Sequence, residues 1–223
     1  MLTVNNLVGF GKSVPRIGIE SVEYVSSIAT LSTGNWTTAN LGALPPGGRN
    51  RLIVLCCDAY AGELSSVTIN GVSATVTARV EETSTGAGVQ FAYATVNAGT
   101  TGITVAPSFS TSPSDTGWIL YRVIYIGTSV GYSLKASFTT NGLSTGISVA
   151  DKTCVIGQSA MRTNSSSGFT WTSGITEDVE IDPRTNDWHS AASAYFETAS
   201  SPTIAGTGVS TSCGIVSEFS ASA

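Results

Sequence analysis

Charge is the scarcest property of this 223-residue sequence, with Asp, Glu, Lys and Arg together making up only 11% of it. The ten basic residues are scattered and the net charge is −5. Phosphate binding relies on clustered Lys and Arg, so nucleic acid is not expected as a partner. No apolar run approaches the ~18 residues that a membrane-spanning helix needs, so no membrane partner is expected either. The N-terminus shows no basic stretch ahead of a long apolar core and no cleavage site, which gives no sign of a secretory signal. There is a single histidine, His189, and no C-x-x-C spacing, which leaves little from which to build a zinc site. Glycine clusters fall at turns rather than between a strand and a helix, so no phosphate-binding loop and no cofactor is expected. Helical periodicity beyond two turns is missing, as is any repeat of 20 to 50 residues.

What remains is rich in hydroxyls and β-formers. Ser and Thr exceed a quarter of the chain, a surface suited to repeated close contacts. Leu52 to Cys57 is apolar on both alternating faces, as a fully buried strand is. Asn70-Gly71 then lies between two alternating runs, where a type I′ turn requires positive φ at both central residues. That turn pairs Ile69 with Val72, Thr68 with Ser73 and Val67 with Ala74, setting apolar against apolar and hydroxyl against hydroxyl. Trp118 to Ile126 (WILYRVIYI) is a second run apolar on both faces. Arg122 interrupts it and needs an anionic or carbonyl partner. A dozen or so strands with turns every 8 to 12 residues point to an all-β chain, a two-sheet antiparallel β-sandwich of jelly-roll type occupying residues 21–223 as one domain, with an up-and-down barrel as the alternative.

Residues 1–20 differ from the rest. Leu2, Val4, Leu7, Val8 and Phe10 are apolar, and Gly9, Gly11 and Pro15 interrupt them. The segment is either a first strand laid on the domain or an extended arm whose apolar residues dock on a neighbouring subunit. Cys56, Cys57, Cys154 and Cys213 each lie in strand-like runs and are expected as free core thiols, consistent with folding in a reducing cytoplasm.

Few residues invite chemistry. The Asp187-Trp188-His189-Ser190 run is no triad, because consecutive strand residues point alternately away from one another. Asp178, Glu180 and Asp182 alternate along one strand, an arrangement that serves a solvated face or, with further oxygens, a hard cation. Trp36, Trp171 and Trp188, with Tyr93, Tyr121, Tyr125 and Tyr132, have rings on which sugars stack; Trp171 and Trp188 sit in polar surroundings and are the candidates for a glycan platform. No catalytic set emerges.

The runs RLIVLCC, VTINGVSAT, WILYRVIYI and IVSEFS, in that order, resemble β-sandwich structural proteins of tailed-bacteriophage virions over residues 49–220. The resemblance implies a non-enzymatic component of the virion, folded in the host cytoplasm: a capsid decoration protein, head fibre or tail appendage (tail fibre) subunit, commonly a symmetric homo-oligomer. Other virion proteins are then its partners, residues Leu2 to Phe10 its anchoring arm, and a host glycan its ligand if it is instead a tail-associated receptor-binding module.

Overall fold

The computed structural model describes residues 16–30, 36–37, 41, 46–96, 102–162, 168–185, 187–208 and 212–223. The arm residues Leu2, Val4, Leu7, Val8 and Phe10 lie outside them. Among the described residues every regular element is a strand. The first half of the chain contributes β1 (Gly18–Thr30), β2 (Trp36–Thr37), β3 (Arg49–Tyr60), β4 (Leu64–Ile69), β5 (Val72–Ser73), β6 (Thr75–Val76), β7 (Val80–Glu82), β8 (Ala87–Thr95), β9 (Thr104–Phe109) and β10 (Thr116–Ile126). The second contributes β11 (Ser129–Phe138), β12 (Gly142–Gly146), β13 (Thr153–Arg162), β14 (Thr170–Ser173), β15 (Thr176–Arg184), β16 (Asp187–Phe196), β17 (Thr203–Thr207) and β18 (Ser212–Ser222).

These strands form four antiparallel sheets. Two are outer sheets, β2-β9-β4-β5 and β12-β17-β14, and two are inner, β1-β10-β3-β8-β6 (with β7 also on β8) and β11-β18-β13-β16-β15. The expectation of two sheets is corrected here, and the sequence holds the reason. A strand that is apolar on both faces needs a sheet covered on both faces, whereas each sheet of a simple sandwich has one face in water. Leu52 to Cys57 and Trp118 to Tyr121 are buried on both sides, as are Thr153 to Met161 and Ser212 to Phe219.

Three apolar cores fill the stack. Ile53, Leu55, Cys57, Val67, Val105 and Leu120 join the first outer sheet to its inner neighbour. Phe138, Val155, Phe169, Trp171 and Val216 do the same in the second half. Between the inner sheets lies a central core drawn from both halves, including Val54, Cys56, Phe91 and Tyr121 from the first and Cys154, Ile156, Ile215 and Phe219 from the second. Alternation along each inner strand sends Val54 and Cys56 to the central core and Ile53, Leu55 and Cys57 to the outer one. All four cysteines are free and buried.

The two halves repeat each other's strand order. The inner order β1-β10-β3-β8 recurs as β11-β18-β13-β16, and the outer β2-β9-β4 as β12-β17-β14. Gly127 and Thr128 join the halves. The carbonyl of Gly127 accepts from Asn50 Nδ2 at 2.8 Å, and the amide of Thr128 donates to the Ser222 carbonyl at 2.8 Å.

Local chemistry explains the details. Asn70 and Gly71 have φ of 51° and 76°, and Thr68 pairs with Ser73 and Ile69 with Val72 as the alternation requires. The Ala74 amide closes on the Val67 carbonyl at 2.9 Å. Pro107 lies inside β9, a strand flanked on both sides, yet among the described residues β2 pairs only with Thr104 and Val105. Beyond them β9 has no partner on that side among the described residues, and there a proline costs no ladder bond. Arg122 ion-pairs with Glu23 on β1 and donates to the Leu41 carbonyl, which supplies the partners its position demands.

Candidate functional site

The central layer offers two places where side chains converge, one polar and one aromatic. The polar one lies where β3, β10, β13 and β16 meet. Asp58 follows Cys56 on the centre-facing side of β3; Asp115 precedes β10, Arg162 ends β13 and Asp187 begins β16. The Arg162 guanidinium lies 3.6 Å above the centre of the Tyr60 ring, and its Nε is 3.7 Å from Asp187 Oδ1. Arg79 reaches in from before β7, donating through Nη2 to the carbonyls of Ala59 and Gly86, both at 3.0 Å. Burial pushes the Asp58 carboxyl up to about 8, the Asp187 and Asp115 carboxylates add to the shift, and Arg79 and Arg162 offset part of it. Asp58 is therefore a neutral acid at pH 7, the form a general acid takes. The cavity beside it measures about 10 Å³, room for one water and for no substrate.

Next to this cluster His189 is completely buried. Its Nε2 is 3.2 Å from Gln158 Oε1, which assigns the proton to Nε2. Gln158 in turn donates from Nε2 to the Gln90 carbonyl of the opposite inner sheet at 2.8 Å. Gln90 continues the chain outward, accepting from the Leu64 amide at 2.8 Å and donating to the carbonyls of Leu64 and Thr77. Burial drops the His189 pKa to about 3, and a β-carbon on Gly117 would stand 3.1 Å from its Nδ1. Walled in and neutral, His189 ties the halves together and is out of reach of any solute.

The aromatic place is an open groove of about 220 Å³ on one flank of the central layer, where the edges β6 and β11 stand apart. Thr75, Val76, Val80, Tyr93, Tyr132 and Leu134 line it. Tyr93 and Tyr132 stack at 5.8 Å and 17°, and Phe219 meets both edge-on at 5.5 and 5.7 Å. Leu134 is 52% exposed at the rim.

Several sequence-predicted residues stand apart from both places. Trp171 is buried in the second outer core, 5.0 Å from Phe169, with its indole N–H on Ser190 Oγ at 3.1 Å. It presents no face to a sugar, because the ring fills the space between the second half's two sheets. Trp188 is half-buried. Tyr121 and Tyr125 are buried, and their hydroxyls are bonded to Asp178 at 2.8 Å and Thr95 at 2.9 Å; of the rings singled out, only Tyr93 and Tyr132 reach the groove.

The Asp178, Glu180 and Asp182 row also breaks up. A bulge between Glu177 and Val179 shifts the register, and an extra residue lets two neighbours share one side. Asp178 faces the central layer, accepting from Tyr121 and Ser193, while Glu180 accepts from the Gly168 amide and Asp182 from the Asp187 amide. Among the described residues no group of acidic, cysteine or histidine side chains is arranged to hold a metal ion. Asp58 was missed by sequence reasoning, although a carboxylate ending the apolar run LIVLCCD is the same kind of signal that drew attention to Arg122. Compared with protein-family models, curated proteins and solved structures, the chain matches none of them.

Proposed function

We propose that the protein is a non-enzymatic structural subunit of a bacteriophage particle, a capsid decoration or head-fibre subunit fixed to other virion proteins through Leu2, Val4, Leu7, Val8 and Phe10. One observation carries this reading: among the described residues the ionisable cluster of buried Asp58 and Asp115 with partly buried Asp187 and Arg162 leaves space for a single water. Around it three apolar cores are stacked between four sheets, and the one larger hollow described, the groove beside β11, is lined by apolar and hydroxyl side chains without an acid, base or nucleophilic thiol. Such a body is suited to bearing contacts rather than to turning over a substrate. A jelly-roll reading is supported by the strand order, β1-β10-β3-β8 beside β2-β9-β4-β5 in the first half and β11-β18-β13-β16 beside the shorter β12-β17-β14 in the second. Jelly rolls serve in viral capsids and in lectins alike, so fold supports the reading only by analogy. Many copies on one particle would compound individually weak contacts.

The test is occupancy. Particles lacking the protein are incubated with the full chain or with the chain lacking residues 1–14, and both are imaged. Full-length protein is expected to decorate them and the shortened one, still folded by circular dichroism, is expected not to. Equal occupancy by both would remove the arm from the proposal, and decoration by neither would remove the particle.

A second reading, a tail-associated module that binds host carbohydrate, draws on the groove with its stacked Tyr93 and Tyr132 and on the half-buried Trp188. A glycan array separates the two, since a structural subunit shows no saccharide binding that Tyr132→Ala or Trp188→Ala abolishes.

A further inference from the structure

Sheet edges are the natural place to ask how copies of an all-β protein meet, because an unpaired edge presents a row of backbone donors and acceptors to any strand of matching length. The long edges differ sharply in how they are guarded. On β1, Glu20 and Glu23 are present and the register shifts twice, between Ile19 and Ser21 and between Tyr24 and Ser26. On β15 stand Glu177, Glu180, Asp182 and Pro183, again with two register shifts. The edges β2, β5 and β6 are two residues long, β7 three, β14 four and β12 five. Carboxylates, bulges, proline and brevity are the devices that keep edges from pairing.

β11 lacks most of them. Among the described residues it pairs only with β18 and leaves its other edge unfilled. Its run Ser129–Leu134 keeps an unbroken register, and the one shift comes after Leu134. Its single charged residue, Lys135, is neutralised within the same chain, 2.6 Å from Glu218 Oε2 and donating to the Ser148 carbonyl at 2.8 Å. The flank beside it is the apolar groove, with Leu134 at its rim.

We infer that β11 is the surface on which two copies of this chain associate, edge to edge and antiparallel, continuing the inner sheet of the second half into its counterpart. Charge selects this occupant. The chain carries a net −5, and two copies meeting through β1 or β15 would bring carboxylates against carboxylates, whereas β11 meets itself without like charges in the interface. A twofold axis makes the contact self-complementary. Directly opposed residues of an antiparallel pair share a face, so a register centred on Tyr132 sets Leu134 against Val130 of the second copy and closes the groove of each copy with the other's rim. The inference does not depend on membership of a particle, because the purified chain would dimerise alone.

The full chain is examined by sedimentation velocity over a range of concentrations and by amide hydrogen exchange. The expected result is a reversible dimer of twice the 22.8 kDa chain mass, with exchange at 129–134 slowing as the dimer fills. Leu134→Lys alters an exposed side chain, so its melting curve should be unchanged at concentrations where both proteins are monomeric, while its dimer dissociation constant rises about tenfold or more. A wild-type protein that stays monomeric overturns the proposal; fast exchange at 129–134 would then mean a bare edge, and slow exchange an edge covered by the chain's own N-terminal segment. A dimer that survives Leu134→Lys with 129–134 still exchanging fast overturns it as well, placing the contact elsewhere.

Discussion

The halves 18–126 and 129–222 share a strand order but treat one element differently. In the second half a single nine-residue strand, β15, runs along β16 and packs over β1 of the first half. In the first half the corresponding stretch is broken into β5, which turns away to the outer sheet, and β6 and β7, which lie as fragments along β8. One flank of the central layer is thereby sealed, and the other keeps the groove. Openness on one side follows from how a connection is cut up, with the surrounding frame left alone.

If the halves are truly one cooperative body, damage in either should unfold both. Phe91 and Phe219 belong to different halves and meet at 5.9 Å in the central core. Phe91→Ala should cost about 3–5 kcal/mol, and urea unfolding followed by fluorescence and by circular dichroism should still trace one transition. Two separated transitions would show that the halves fold independently. Away from the shared core the effect should shrink. Gly157 has Trp171 Cη2 only 2.7 Å and Ile175 Cδ1 2.8 Å from where a β-carbon would sit, so Gly157→Ala should destabilise by about 1–3 kcal/mol through overpacking, read as a lowered urea midpoint.

The seam between the halves should announce itself in pH dependence. Asp58 holds its proton to about 8 in the fold, against an ordinary 3.8, so the folded state binds more protons than the unfolded one across that range and stability falls as pH rises through it. His189 works in the opposite direction: at about 3 in the fold against 6.5 outside it, it costs stability as pH falls from 6.5 towards 3. The two oppose each other between about 4 and 6.5, and above 6.5 Asp58 acts without His189. Asp58→Asn should therefore flatten the loss of stability between pH 6.5 and 8 and steepen the acid limb between about 6.5 and 4, where His189 then acts unopposed, as measured by urea midpoints across pH. An unchanged alkaline limb would mean that the carboxyl is ionised in the fold.

The smallest expected effect belongs to the first half's own hairpin. Gly71→Ala places a β-carbon at φ 76°, which should cost about 1 kcal/mol and no more, because nothing stands within 4 Å of that carbon.

Much of this was legible in the residues. The Asn70-Gly71 turn with its register, the free buried cysteines and the partner of Arg122 followed from alternation and from the cost of burying polar groups. So did a stronger conclusion that was left undrawn: RLIVLCC and WILYRVIYI require sheets covered on both faces, which two layers do not provide. The duplication was harder to see because it is carried by strand order and not by matching residues, although KTCVIG in β13 occupies the place of LIVLCC in β3. The site suffered most. Trp171 in its Ser/Thr-rich stretch looked exposed because hydroxyls read as surface, yet Ser190 takes its indole proton inside the core. The carboxylate row of β15 was undone by a bulge, which no alternation count detects. The groove joins Val80 and Tyr93 to Tyr132 and Leu134, residues about 40 apart or more across the halves, and only tertiary pairing brings them together.

The placement of β18 has a consequence for how the protein is made. It lies second in its sheet, between β11 and β13, and it is translated after both of them. At about 5–20 residues per second, the ribosome needs roughly 5–20 s to pass from Ile126 to Ser222. Until then Phe91 of the first half lacks the Phe219 ring that meets it in the finished core, so a nascent chain with a folded first half would carry exposed apolar surface until β18 leaves the exit tunnel.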